Sequence, residues 1–149
     1  IPELNPMTML KLLEPRSLIE SLCIDKAIDR MEDSDKAQIK AVITTLSQLD
    51  DNDRKSFMAV LREMHQILAQ SSKNEFILAS IKTTQGLSRR FWCYYATDKD
   101  QAYCTDLYIR QMNALLASDK DTALNASAEL IQYLQEFTKA QLEAFKSTH

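Results

Sequence analysis

The sequence predicts an all-α protein, an antiparallel bundle of six to seven helices, on three observations. One glycine and three prolines occur in 149 residues, two of the prolines within the first six; a sheet protein of this length would need more turn glycines. Apolar residues recur at helical spacing over long stretches. Short polar joints of three to five residues separate those stretches, as expected where neighbouring helices reverse direction.

The first helical stretch runs from Thr8 to about Met31, with Leu12, Leu13, Leu18, Ile19, Leu22, Cys23 and Ala27 at helical spacing. Pro15 either kinks it or opens a second helix at its first turn. Ser17 and Glu20 have capping-box spacing, which supports a restart there. After the joint Glu32-Asp33-Ser34-Asp35, a helix to about Leu49 carries the stripe Ile39, Val42, Ile43, Leu46 and Leu49. Asp53 ends the joint Asp50-Asp51-Asn52-Asp53 and is the expected cap of the helix from about Arg54 to Gln70. Ser72 and Glu75 have capping-box spacing for a helix from about Asn74 to Ala96, inside which Gly86 marks a bend or a close helix contact. Thr97-Asp98-Lys99-Asp100 separates it from the helix of Tyr103, Leu107, Met112, Leu115 and Leu116. Ser118-Asp119-Lys120-Asp121 caps a long last helix bearing Ala123, Ala126, Leu130, Ile131, Leu134, Phe137 and Leu142.

At this length the chain reads as one domain, able to bury a core without metals or disulfides. The net charge is −3, with 26% of residues charged and the signs interleaved. No basic run marks a groove for phosphates, so the chain itself is not expected to grip nucleic acid. Cys23, Cys93 and Cys104 lack CxxC spacing and read as buried thiols of a cytoplasmic protein. No apolar run reaches the roughly 18 residues of a membrane span. The start at Ile1-Pro2-Glu3, without an initiator methionine, reads as that of a fragment or a processed chain.

Chemistry centres on Leu61-Arg62-Glu63-Met64-His65, which holds the one histidine not at the chain end, the other being His149. Leu61, Met64, His65 and Leu68 share one helix face, so the imidazole points inward while Arg62, Glu63 and Gln66 take the wet side. Catalytic constellations are missing. There is no Gly-rich phosphate loop, no GxSxG and no HExxH, and Arg62 stands where a Glu-x-x-His di-iron motif needs glutamate. An enzyme is therefore not expected. The run Arg89-Arg90-Phe91-Trp92-Cys93-Tyr94-Tyr95 reads in two ways: as a pocket wall presenting arginine to an anion, or as aromatic packing beside solvated arginines.

Three pieces line up in order: Arg16-x-x-Ile19-Glu20, then Met64-His65 with Asn74 nine residues beyond the histidine, then Ala114-Leu115-x-x-x-Asp119-x-x-x-Ala123. In order and spacing they resemble the FCD family, the helical ligand-sensing domain of FadR-like transcription regulators of the GntR superfamily. The resemblance spans about Leu10 to Ile131. It implies an effector-binding and dimerising domain, a homodimer, and operator DNA held through an N-terminal winged-helix domain absent from this chain.

Many members of that family hold a divalent metal with an aspartate and three histidines. Carried over by position, these ligands fall on Leu61, His65, Tyr108 and Leu130. Two leucines, a phenol and one imidazole would bind zinc or nickel poorly, so neither metal nor other cofactor is expected. The resemblance then implies a pocket floored by Leu61 and Leu130. His65 and Tyr108 share a hydrogen bond there or meet the effector, and Arg16, Arg89 or Arg90 pairs with its carboxylate. The alternative is a helical protein-interaction bundle whose interior is filled.

Overall fold

The computed structural model describes residues 5–148, and the first residues of the chain and His149 lie outside it. Six helices and no strand are present among them. The first, α1, spans Pro6–Arg30, with Asn5 as cap accepting from the Thr8 N–H. It is one continuous helix, so the restart expected at Pro15 does not occur. Pro15 lies on the exposed face, where water can serve the Lys11 carbonyl that loses its donor. Ser17 and Glu20 therefore form no capping box. The buried stripe of α1, Met9, Leu13, Arg16, Glu20, Cys23, Ile24 and Ala27, includes two charged residues.

Helix α2, Asp33–Gln48, starts with a reciprocal capping box between Glu32 and Asp35 and buries Ile39, Val42 and Leu46. Helix α3, Arg54–Ser71, is capped by Asp53, whose carboxylate accepts from the Ser56 N–H at 3.1 Å. Helix α4, Glu75–Tyr95, is capped by Asn74, which accepts from the Phe76 and Ile77 N–H groups. Ser72 instead closes α3, its hydroxyl turned back to the Ala69 carbonyl, so the expected box with Glu75 does not form.

Helices α5, Asp98–Leu116, and α6, Lys120–Thr148, complete the chain. The joints are shorter than the acidic runs suggested. Asp98, Asp100 and Asp121 already belong to first turns, where carboxylates meet free N–H groups and the positive end of the helix dipole.

Helix α1 packs against α3, α4 and α6, while α5 packs against α2 and α6. The core lies between these layers around Phe57, Met64, Met112 and Leu115. Arg54 ties the α4–α5 joint to α3. Its guanidinium donates to Gln101 and to the Ala96 carbonyl, pairs with Asp98 at 3.1 Å, and lies over the Trp92 ring.

Candidate functional site

The inward face of α3 places His65 in the interior, only 6% exposed, opposite α4. Its Nδ1 lies 3.2 Å from Nη1 of Arg89. A guanidinium only donates, so Nδ1 is the acceptor and the ring proton sits on Nε2. The imidazole is neutral: burial first, then the nearby Arg16 and Arg89 charges, hold its pKa well below the usual histidine range.

Beside this pair, α3 and α4 open a cleft of about 810 Å³. Four cations line it, Arg62 from α3 and Lys82, Arg89 and Arg90 from α4, and no carboxylate does. Met58, Leu78, Ile81 and Leu87 supply apolar wall, and Gly86 sits between the charged ends. Added to Gly86, a Cβ would meet nothing within 4 Å beyond its chain neighbours and its own helix backbone. The glycine thus faces open space and marks neither a tight helix contact nor a crowded turn.

Arg89 is half-buried, and burial lowers its pKa, with the neighbouring Arg16 and Arg62 charges adding to the fall and the Tyr108 phenol opposing it. Among the described residues no carboxylate lies within ion-pair distance of Arg62, Lys82, Arg89 or Arg90. The interleaved signs of the sequence hide this segregation, because the cations come together only when α3 and α4 pack.

A charge-paired network lies deeper, in which Glu20 Oε2 and Gln85 Oε1 are buried without a hydrogen-bond partner among the described residues. Arg16, 3% exposed, pairs with Glu20 at 3.1 Å one turn on and donates to the Ser88 hydroxyl at 2.6 Å. Burial opposes the Arg16 charge, but Glu20 and Tyr108 outweigh it and raise its pKa. Gln85, fully buried, donates through Nε2 to the same Glu20 carboxylate. Residues 85 and 88 of α4 are thereby tied to α1.

Of the residues expected to form the pocket, His65 and Arg89 line the α3–α4 cleft. Arg16, Leu61, Arg89 and Tyr108 border an interior cavity of about 20 Å³ with Trp92 and Leu134, room for about one water. Leu130 is buried on α6 and borders none of these spaces. The interior of the bundle is thus filled, and the roomy space opens sideways. His65 and Tyr108 meet edge to face, ring centroids 6.0 Å apart, with the imidazole acceptor given to Arg89. Sequence reasoning missed Arg62, Lys82 and Gly86: Arg62 read as a wet-face charge, Lys82 carried no signal of its own, and Gly86 read as a bend or a close helix contact.

The aromatic run divides. Phe91 and Trp92 are buried, Phe91 against Tyr95 and Phe137 and Trp92 against Phe57, while Arg89 and Arg90 line the cleft.

The donor set does not fit a divalent metal. Leu61 and Leu130 offer no lone pair, the His65 lone pair is engaged by a cation, and burial pushes the Tyr108 phenol far up. Among the described residues no group of three or more His, Cys, Asp or Glu converges. Burial also pushes the Cys23 and Cys104 thiols up to about 12, leaving neither a nucleophile at neutral pH.

Fold and site together define a helical bundle with a cationic side cleft. The family model described as the FCD domain matches residues 11–133, and the chain belongs to that family. FCD domains are C-terminal effector-binding domains of GntR-type transcription regulators rather than enzymes. Comparison with curated proteins and with solved structures gave no match. No helix among the described residues is long and apolar enough to cross a membrane.

Proposed function

We propose that these 149 residues are a single effector-sensing and dimerising domain of a bacterial GntR/FadR-like regulator, taking a small organic anion in the α3–α4 cleft without metal. The observation that carries this is Arg89, a half-buried cation whose polar partner is a neutral imidazole, at the wall of a roomy cleft free of carboxylates. A partly desolvated charge without a counter-charge is costly, and an incoming carboxylate removes that cost while the guanidinium fork fixes its orientation. Met58, Leu78 and Ile81 then cover the ligand's apolar body.

Ligand in the cleft bears on α3 and α4 together, and α4 holds α1 through Ser88–Arg16 and Gln85–Glu20. A small shift of α4 therefore reaches α1 and the α6 packed on it. In a homodimer this changes the spacing of two winged-helix domains that grip operator DNA, provided the ligand binds one arrangement better than the other. The α3–α4 cleft favours this reading over a purely protein-binding bundle.

Thermal shift against a panel of carboxylates tests it. An acid at a hundredfold excess over its dissociation constant stabilises the fold by about 2.7 kcal/mol. Arg89→Met abolishes that shift while the free protein still melts cooperatively. Acids that stabilise the Arg89→Met protein as well as wild type would overturn the assignment of the anchor.

A further inference from the structure

Resting on that reading, we infer that the cleft selects an elongated ligand with an anionic group at each end, laid along α4 with its body over Gly86. The cations are not gathered at one point. Arg62 lies near enough to Arg89 to depress its pKa, and Arg90 adjoins Arg89 in the chain. Lys82 stands seven residues before Arg89 on the same helix, which is about 10 Å along the axis. A single carboxylate on the arginine group leaves Lys82 unused. A second anion at Lys82 fits the charge that the cleft presents.

Gly86 lies midway between these ends, the one glycine in the chain. Glycine inside a helix is less stable than alanine, and beyond its own helix backbone and chain neighbours nothing lies within 4 Å of where its Cβ would stand. Nothing in the packing requires its bareness. The open space leaves room for a ligand to pass over the helix backbone at that point.

The shared chemistry is a chain with two anionic ends, and the group at the arginine end is either carboxylate or phosphate-like. Binding to the full chain is measured by calorimetry with hexanoate, adipate and 6-phosphonohexanoate. Adipate, or the phosphonate, binds at least about fivefold tighter than hexanoate, the reach of one added charge-assisted contact at a solvent-open position. Whichever of the two dianions is tighter identifies the group that the arginines take.

Lys82→Met removes the preference for the dianions over hexanoate. Gly86→Leu, which keeps a good helix former, weakens all ligands while the protein remains folded by circular dichroism. Equal affinity for hexanoate and both dianions, or a preference that survives Lys82→Met, overturns this inference and leaves the effector reading intact. Ligands unaffected by Gly86→Leu overturn the path over the helix. Failure of all three probes to bind overturns anion sensing and this inference together.

Discussion

Arg16 and Glu20 show at the level of single residues how a charged pair becomes part of a core. Four positions apart on α1, they turn inward with Met9, Leu13 and Cys23, and each is held by α4. Arg16→Met leaves the Glu20 carboxylate buried without its counter-charge and is expected to cost about 3–5 kcal/mol by urea unfolding. The double variant Arg16→Met with Glu20→Leu recovers much of that loss, because no lone charge remains. His65 gives a second prediction. Its folded pKa is depressed from 6.5 by burial first and then by Arg16 and Arg89. Below pH 6.5 the unfolded chain therefore binds a proton that the native state refuses, and stability falls as pH falls from 6.5 toward the folded value. The slope approaches about 1.4 kcal/mol per pH unit. Between pH 6.5 and 5 wild type should lose up to about 2 kcal/mol more than His65→Gln. The depressed carboxylates Asp25, Asp35 and Asp119 lose their contribution only as pH drops below about 3.8, outside this window. Equal pH slopes for the two proteins above pH 5 would show that the imidazole is not held neutral.

At the level of elements, the helices were legible because long apolar stripes and polar joints carry a strong periodic signal. Asp53 was readable as a cap since its carboxylate serves a local N–H group. Two boundaries were misread where one local signal has two meanings. Pro15 left a kink and a restart both open, and on the exposed face, where water can serve the freed carbonyl, the helix runs on without a restart. Ser72 satisfies the end of α3 rather than the start of α4, because Asn74 is better placed to accept from two N–H groups. Scarcity of glycine leaves a trace at the joints. Ser118 takes a left-handed conformation at φ 56°, inside a helix-ending motif where Asp119 N–H reaches the Ala114 carbonyl and Ser118 N–H the Leu115 carbonyl. That conformation strains an L-residue and suits glycine. Ser118→Gly should therefore stabilise the fold by about 0.5–1 kcal/mol, measured as a higher urea midpoint with unchanged slope. A lower midpoint would mean that the serine hydroxyl has a role at the joint.

Across the whole molecule, the interior is filled and the roomy cleft lies to its side. An acid at Leu61 and histidines at Tyr108 and Leu130 would make the centre of the bundle a polar cation site; apolar and phenolic groups close it instead. The cations without a carboxylate partner line the rims of two helices, with His65 and Arg89 facing both the interior and the cleft. This gathering of cations was not legible in the chain. Helical periodicity says which residues turn from the core, but not which two wet flanks meet. Arg62 on α3 and Lys82 on α4 are twenty residues apart and share a cleft only through packing. Positive charge already occupies the ground that a metal would need, and a divalent ion next to Arg16 and Arg89 would meet repulsion and one engaged imidazole. Adding zinc or nickel should accordingly leave the melting temperature unchanged, as should treatment with a chelator. An anion that binds the cleft raises it, and by less at high ionic strength, where the open rim charges are screened. Stoichiometric zinc or nickel by elemental analysis of protein purified without chelator, with loss of stability on its removal, would place a cation where these residues have put arginine.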